Sequence, residues 1–312
     1  NNLKQVLDNN ITITIHDLEY LKKLNSLKLN KKLKVHIKID SGMNRLGFKN
    51  KEEVKEAYYL LNNNKNIFIE GIYSHFATIG VFDNKWDNQL KKFEEITSLI
   101  DINTIPIRHL GSSIVLLTHP KIGICNGIRI GTIIYGYNVS PKSSIKGFKN
   151  KLRIIRNLYY QKKYNISKTY SNVELNIEPC ISLYTSILQI KKVNKGEYVG
   201  YGAIYKVKND ILIAVLPVGY NEGIGRENNN RYVYINNNKY DVIGEIGMNM
   251  IVVKIDEMVN ITDKVELMGE NITLGQISRF ANKSIHEMLL NIGKNNQRIY
   301  IKNNTIEFIS KK

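Results

Sequence analysis

The chain is poor in cysteine, and its cysteines form no pattern. Only two occur among 312 residues, Cys125 and Cys180, and they lie far apart without the spacing of metal ligands. Such a pair argues against a cysteine metal site. We expect both thiols to be buried and reduced, as in a cytoplasmic protein.

Long apolar runs are also missing. No stretch is long and apolar enough to cross a bilayer, and no signal peptide opens the sequence, so we expect no membrane partner. A hydrophobic content of 43% and a charged content of 23% are typical of a globular protein, and 312 residues suffice for two domains. The first residue is not methionine, which we interpret as a truncation.

Acidic residues are scarce. The chain has 45 Lys and Arg against 28 Asp and Glu, a net charge of +17. Residues 141–173 hold nine Lys or Arg and no acidic residue, which accounts for +9 of that charge. No nucleic-acid-binding motif accompanies them, and Lys, Asn and Ile are frequent throughout, as in AT-rich coding DNA. We therefore expect no nucleic-acid partner and interpret 141–175 as a basic linker or insertion.

The pattern of predicted elements divides the chain in two. Before residue 140, apolar strands alternate with amphipathic helices, which predicts parallel βαβ units. From about Pro179, short strands are separated by Asn and Gly turns, with one helix predicted at Leu274 to Phe280. We predict an α/β plus all-β chain, with a partial TIM-type α/β barrel at 1–140 and a β-rich C-terminal domain at 176–312.

A group of charged residues follows the predicted strand at Leu33 to Ile37. Lys38, Asp40 and Arg45 lie on the string Lys-Ile-Asp-Ser-Gly-Met-Asn-Arg-Leu-Gly-Phe. An α/β barrel carries its chemistry at the carboxyl ends of its strands, although a solvated turn explains the group equally well. The string resembles one in the alanine racemase family, where a lysine and then Asp-Ser/Thr-Gly-Met-x-Arg-Leu-Gly follow a barrel strand.

Further strings in the family's order extend this resemblance from about Thr12 to the C-terminus. They are Gly-Ile-Tyr-Ser-His-Phe-Ala-Thr from Gly71, Ile-Arg-Ile-Gly-Thr-Ile-Ile-Tyr-Gly from Ile128, Tyr-Val-Gly-Tyr-Gly-Ala-Ile-Tyr from Tyr198, Pro-Val-Gly-Tyr-Asn-Glu-Gly from Pro217 and Gly-Glu-Ile-Gly-Met-Asn-Met from Gly244. The resemblance implies a homodimeric fold-type III enzyme that uses pyridoxal 5′-phosphate (PLP) and shares its active site between subunits.

Racemisation needs two bases, one on each face of the substrate's Cα, and the resemblance implies that Tyr201 is one of them. A phenol has an ordinary pKa of ~10, so it needs a positive neighbour to act near neutrality. His75 and Arg45 would form that chain, with His75 touching the tyrosine of the second subunit. An ordinary strand aromatic is the alternative for Tyr201.

The resemblance also assigns residues to the cofactor. Arg129 matches the arginine that faces the pyridine nitrogen, and its neighbours Ile128 and Ile130 predict burial rather than a surface ion pair. Arg45 would contact the phenolic oxygen of PLP and the carboxylate of the substrate. The remaining cofactor-binding positions are Ser113, Gly131, Thr132, Tyr220 and Lys294. Lys294 stands where the family has a phosphate-binding tyrosine.

Three more residues have weaker assignments. Met248 matches a substrate-contacting position supplied by the second subunit, a core methionine being the alternative. Lys38 matches a lysine that is often carbamylated, and a carbamate there would hold Arg45; a strand-end lysine reaching solvent is the alternative. His109 is expected to be a structural barrel histidine, and no metal is expected.

The sequence also departs from the family. The PLP-bearing lysine motif, Lys-Ala-Asn/Asp-x-Tyr-Gly, is absent, as expected if the chain starts partway around the barrel. Ser112 replaces an asparagine and Glu245 replaces an arginine. We predict a PLP-dependent alanine racemase that supplies D-alanine for peptidoglycan in the bacterial cytoplasm. A racemase of another small amino acid such as serine, a fold-type III decarboxylase and a truncated non-catalytic homologue remain as alternatives.

Overall fold

The structure is a computed structural model of the chain. It describes residues 2–78, 84–119, 121–137, 148–163 and 175–310. The chain divides into two compact units, Asn1–Glu178 and Pro179–Lys312. None of the described helices is long and apolar enough to cross a membrane.

The first unit is built on a five-stranded parallel sheet in which each strand pairs with the next along the chain. Its strands are β1 (Ile13–Ile15), β2 (Leu33–Lys38), β3 (Ile67–Tyr73), β4 (Ile107–Ser112) and β5 (Gly127–Arg129). Its helices are α1 (Leu3–Asp8), α2 (Leu18–Asn25), α3 (Lys51–Asn62), α4 (Lys85–Thr97), α5 (Ser113–Thr118) and α6 (Phe148–Lys163). Sequential parallel strands joined by helices are the repeat of an α/β barrel, so the predicted α/β class is confirmed.

Local sequence explains where these helices begin and which side they bury. Asp17 accepts the N–H of Tyr20 at 2.7 Å at the start of α2, and Asn50 accepts the N–H of Glu53 at 2.9 Å at the start of α3. On α3 the buried residues recur at helical spacing. They are Val54, Ala57 and Leu61. These side chains join the strand residues in one apolar core, which fixes the carboxyl ends of the strands in place.

The second unit is built on a seven-stranded antiparallel sheet. Its strands are β6 (Leu183–Thr185), β7 (Gln189–Val193), β10 (Ile211–Leu216), β11 (Tyr232–Ile235), β12 (Asn238–Ile243), β13 (Ile251–Ile255) and β14 (Val265–Met268). They lie side by side in the order β6-β14-β11-β12-β13-β10-β7. Two separate pairs are formed by β8 (Tyr198–Val199) with β9 (Tyr205–Lys206), and by β15 (Ile299–Lys302) with β16 (Thr305–Ile309). The predicted β-rich domain is therefore confirmed.

The helices of this unit differ from the prediction in number. The structure has α7 (Leu274–Phe280), as expected, and also α8 (Ile285–Asn295). A signal for α8 was present in the sequence, because Ser284 caps the helix by accepting the N–H of Glu287 at 3.2 Å.

Part of the predicted linker is also helical. Helix α6 lies inside the segment 141–175, whereas residues 141–147 and 164–174 of that segment lie outside the described residues.

Candidate active site

The loop after β2 folds back onto the end of its own strand. Phe48 donates to the carbonyl of Lys38 at 2.9 Å, and Asp40 donates to the carbonyl of Phe48 at 2.8 Å. Gly47 makes this return possible, because its φ is +123° and a Cβ there would lie 2.7 Å from the carbonyl oxygen of Lys38. The glycine therefore holds Lys38 and Asp40 at the carboxyl end of the sheet.

Asp40 organises the remainder of this loop. Its carboxylate accepts backbone N–H groups from Gly42 at 3.1 Å, Asn44 at 2.9 Å and Arg45 at 3.0 Å. Burial alone would raise the pKa of Asp40, but these donors and the charge of Lys49 bring the pKa below its ordinary value. Asp40 therefore remains anionic and fixes the backbone of Arg45, whose side chain is exposed.

Arg129, at the end of β5, connects three strand ends. Its guanidinium donates to Nδ1 of His109 at 2.7 Å, to Nδ1 of His75 at 2.6 Å and to the carbonyl of Ser74 at 2.9 Å. It also lies 5.0 Å from the ring centroid of Tyr73. These contacts bring together His75 and Arg129, both predicted from the sequence, and they show that Arg129 is not part of a surface ion pair.

The neighbouring isoleucines do not explain why Arg129 is half-buried, so the argument from them was wrong. Ile128 and Ile130 are 40% and 45% exposed, because alternate residues of a strand point to opposite faces. Arg129 is half-buried because its side chain takes the other face. The sequence had also linked His75 to Arg45, whereas the hydrogen bond at Nδ1 of His75 comes from Arg129.

A line of hydrogen bonds continues from Arg129 into the sheet. Nε2 of His109 lies 3.1 Å from Nδ1 of His36, and Nε2 of His36 lies 3.4 Å from Oε2 of Glu70. Glu70 in turn accepts the hydroxyl of Thr12 at 2.6 Å. His109 is buried, as expected of a structural histidine, but it also joins the arginine of the site to a carboxylate.

The direction of these hydrogen bonds follows from the guanidinium, which can only donate. Nδ1 of both His75 and His109 must accept, so each neutral ring carries its proton on Nε2. His109 then donates to His36, and His36 donates towards Glu70. Burial, followed by the charge of Arg129, lowers the pKa of His75 and of His109 to about 4. Both imidazoles are therefore neutral near pH 7, with the positive charge on Arg129.

Lys38 is only 5% exposed, which rules out the alternative of a strand-end lysine that reaches solvent. Its Nζ lies 4.6 Å from the ring centroid of Tyr73. Burial, then the charges of Arg129 and Arg45, lower the pKa of Lys38 to about 8. Roughly a tenth of the amine is then neutral at pH 7, and a neutral amine is a nucleophile.

The predicted phosphate-binding residues form a second group at the strand ends. Ser113 and Thr132 are buried, and the hydroxyl of Ser113 accepts the N–H of Gly131 at 2.8 Å. A Cβ built on Gly131 would have Ser113 Oγ as its nearest neighbour, at 4.0 Å, so the space in front of this backbone is open. The arrangement offers N–H and O–H donors to an anion.

The second unit carries the other predicted residues on its surface. Tyr201 is 73% exposed in a 3-10 turn, Met248 is 60% exposed and Tyr220 is 40% exposed. Lys294 is exposed in the last turn of α8. Tyr201 is therefore not an ordinary strand aromatic, and Met248 is not a core methionine.

Sequence reasoning missed Glu70, His36 and Tyr73. Their signal was weak, because His36 is one of three polar residues that alternate with apolar ones on β2, and Glu70 is the one charged residue of β3. Val35 pairs with Ile69 and His36 pairs with Gly71, so Glu70 is the extra residue of a bulge that redirects its side chain. Gly71 leaves room for the imidazole, since a Cβ there would lie 2.6 Å from His36.

The cysteines differ in burial. Burial raises the pKa of the half-buried Cys125 thiol. Cys180 is exposed, so the expectation that both would be buried was wrong for this residue.

Comparisons with known proteins point to one family. The model of the alanine racemase N-terminal domain matches residues 1–139, and that of the alanine racemase C-terminal domain matches residues 180–300. An alanine racemase of Borreliella burgdorferi (strain ZS7) is 31% identical over 307 residues, covering 96% of this chain and 74% of that protein. Alanine racemase 1 of Clostridium acetobutylicum is 32% identical over 313 residues, with coverage of 96% and 74%.

Solved structures agree. An alanine racemase of Clostridium difficile 630 matches with a TM-score of 0.82 and 30% identity, covering 99% of this chain and 76% of that one. The alanine racemase of Bacillus anthracis with bound L-Ala-P matches with a TM-score of 0.81 and 24% identity, covering 99% and 75%, which supports the fold. The family strings, both domain models and the relatives thus agree from one end of the chain to the other, and the chain belongs to the alanine racemase family.

Proposed function

We propose that this protein interconverts L-alanine and D-alanine with PLP as its cofactor. The observation that carries the proposal is the position of Arg129, which donates to His75, His109 and Ser74 at the carboxyl ends of the strands of an alanine racemase fold. Neutral histidines beside a fixed arginine form a site that is organised before a ligand arrives.

The motif of the PLP-bearing lysine is absent from these 312 residues, but the other residues of the first unit fit PLP. Its phosphate, phenolic oxygen and ring nitrogen are hydrogen-bond acceptors, and the site offers donors. The Ser113 hydroxyl, which accepts the N–H of Gly131 and keeps its own proton to donate, and the backbone N–H of Thr132 would hold the phosphate in the open space beside Gly131. The Asp40 carboxylate accepts hydrogen bonds from three backbone N–H groups, which weaken its electrostatic repulsion of a bound phosphate.

PLP, when bound, supplies the electron sink that makes the Cα–H of an amino acid acidic. Arg129 would face the ring nitrogen. Burial lowers the pKa of Arg129, but a guanidinium stays protonated at neutral pH and can only donate. It therefore keeps a proton off the ring nitrogen and moderates the sink, which suits proton return to Cα over transamination.

Tyr201 would take or return the proton at its phenolic oxygen, Oη. A phenolate needs a nearby donor or positive charge. The Nε2–H of neutral His75 can donate to it, and the charge of Arg129 lies on the other side of the same ring, 2.6 Å from Nδ1. Arg129 thus supplies the positive neighbour that the sequence analysis assigned to Arg45.

Arg45 is then available for the substrate. Its backbone is fixed by Asp40, and its side chain is exposed at the strand ends. We assign it to the substrate carboxylate and the phenolic oxygen of PLP. Met248 would contact the substrate, Tyr220 the cofactor and Lys294 the phosphate, as the family resemblance implies for these positions.

We further propose a homodimer in which Tyr201 and Met248 complete the site of the second subunit. The exposure of both side chains supports this, because a residue that acts across subunits must lie on the surface of its own. The protein would act in the bacterial cytoplasm and supply D-alanine for peptidoglycan.

Lys38 would be carbamylated in this site. Its neutral amine attacks the carbon of CO₂, forms an N–C bond and releases one proton, which leaves an anionic carbamate. The pKa of about 8 supports this step, since a neutral fraction is present near pH 7. Without the carbamate, Lys38, Arg45 and Arg129 are three neighbouring cations. A carbamate on Lys38 would be an anion that pairs with both arginines.

The test is a substrate assay on the holoenzyme with added PLP. L-Alanine and L-serine are incubated separately, and the D-enantiomers are measured by chiral chromatography. We expect PLP-dependent formation of D-alanine, with serine slower. A protein that binds PLP, as judged by absorbance, but forms no D-alanine would refute the proposal. Faster turnover of serine would move the assignment to the related substrate.

A further inference from the structure

Helix α6 carries an apolar stripe that the chain leaves exposed. Phe148, Leu152 and Ile155 recur at spacings of four and three residues, so they share one face of the helix. They are 75%, 51% and 63% exposed. Tyr159, 60% exposed, continues the stripe by another four residues.

Basic residues border this stripe on both sides. At 100° per residue, Lys151 and Lys162 lie along one edge, and Arg156 and Lys163 lie along the other. All four are exposed, and Nζ of Lys163 lies 5.9 Å from the ring centroid of Tyr159. The segment 141–173 contains nine Lys or Arg and no acidic residue, so its formal net charge is +9. An anionic partner is therefore complementary to this face.

Helix α6 is separate from the parts of the chain that define the family. The two domain models match residues 1–139 and 180–300, and the helix lies between them. The two domain models therefore do not account for its apolar stripe or its charge. Helices α2 and α3 bury residues on their apolar faces, whereas the stripe of α6 does not.

We propose that α6 lies on an anionic phospholipid surface, with Phe148, Leu152 and Ile155 inserted among the lipid chains and the flanking Lys and Arg on the headgroup phosphates. A basic amphipathic helix with this arrangement is typical of interfacial binding. Its 16 residues extend for about 24 Å, and its charges prevent it from spanning. This surface adds a peripheral membrane partner to the proposed racemase, contrary to the expectation from the sequence.

A nucleic acid is the other anionic partner to consider. Phosphate backbones engage the basic residues but leave the apolar stripe in water. Bound bases stack on aromatic side chains, whereas the centre of the stripe is Leu152 and Ile155, which are aliphatic. Acyl chains account for both the charge and the aliphatic centre, so the structure favours the lipid surface.

The test is co-sedimentation of the full chain with vesicles. We expect binding to vesicles of phosphatidylcholine and phosphatidylglycerol, weak binding to pure phosphatidylcholine, and release by salt. The variant Leu152→Ser/Ile155→Ser should lower the partition coefficient by about tenfold or more. Lys151→Gln/Arg156→Gln should lower it by roughly thirtyfold. All four substitutions are at exposed positions, and an unchanged thermal melt will confirm folding.

Matched variants in the second unit serve as controls. Ile261→Ser/Leu290→Ser and Lys195→Gln/Lys208→Gln remove the same numbers of exposed apolar and basic residues and should leave the partition coefficient unchanged. No binding to the anionic vesicles would overturn the proposal. Vesicle binding of Leu152→Ser/Ile155→Ser at the wild-type level would also overturn it. So would oligonucleotide binding by the wild type that is lost in Lys151→Gln/Arg156→Gln but kept in Leu152→Ser/Ile155→Ser. These results do not depend on racemase activity.

Discussion

In the first unit, His75 and His109 each accept a hydrogen bond from Arg129 below the surface of the sheet's edge, whereas Tyr201 and Met248 of the second unit are exposed. The difference follows from chemistry. A guanidinium that must keep fixed directions needs fixed acceptors, and a parallel sheet supplies them because several strands end at one edge. A residue that is proposed to complete the site of a second subunit needs exposure instead. The first unit holds a charged group in a fixed hydrogen-bonded position, and the second unit exposes individual side chains on its surface.

Replacement of Tyr201 by phenylalanine should have the largest effect. Without the phenolic base, racemisation should fall about a thousandfold, and equally in both directions because the enantiomers have equal free energy. Loss of α-deuterium to solvent should fall in the same variant for the enantiomer whose Cα–H faces Tyr201. Chiral chromatography and mass spectrometry measure the two rates.

Tyr198→Phe is the matched control, because Tyr198 is also exposed and lies nearby on β8. It should leave racemisation unchanged. If Tyr201→Phe racemises alanine at the normal rate, the exposed tyrosine is not a base, and the contrast between the units loses its functional meaning.

Arg129→Lys should be the next most damaging change. Lysine keeps the charge but cannot donate in fixed directions to His75, His109 and Ser74 together, so we expect a loss in kcat of roughly a hundredfold. The absorbance spectrum of bound PLP should also change. Arg108→Lys is the control, since Arg108 donates to backbone carbonyls of Ile124 and Ile105. An active Arg129→Lys enzyme would show that the charge alone suffices.

Lys38→Met should reduce kcat about tenfold, because Arg45 and Arg129 lose the anion proposed between them. With ¹³C-labelled bicarbonate, the wild type should show a carbamate resonance that this variant lacks. Lys49→Met changes an exposed lysine of the same loop, which donates to Asn44 at 2.8 Å, and should retain the signal. A wild type without the resonance would contradict the carbamate.

The smallest effect concerns the stability of the first unit in acid. His75 and His109 have a pKa of about 4 in the folded chain against an ordinary 6.5, so between these values only the unfolded chain binds the extra protons. The free energy of unfolding should therefore rise with pH from about 4 to about 6.5. Denaturant titrations at several pH values measure the slope.

His75→Asn should reduce this slope by about one proton. An equal slope in wild type and His75→Asn would mean that the histidines at Arg129 are charged in the folded chain.

The contrast between the units also shows what could be read from sequence. Lys38, Asp40 and Arg45 were found because they lie close together on one string. His36 and Glu70 were not, because each lies inside a strand and belongs to none of the family strings. Only the bulge at Glu70 and the space left by Gly71 bring them to the line of hydrogen bonds from Arg129.

The sequence by itself determined the two classes of structure, the family and most residues of the candidate site, because periodicity and short strings are local properties of the chain. The tertiary structure decided which groups share a hydrogen bond, which histidines are neutral and which apolar residues remain exposed. Those properties depend on desolvation and on distances between strand ends far apart in sequence. The exposed stripe of α6 is of the same kind, since the sequence shows its residues and only the fold shows that the chain leaves them exposed.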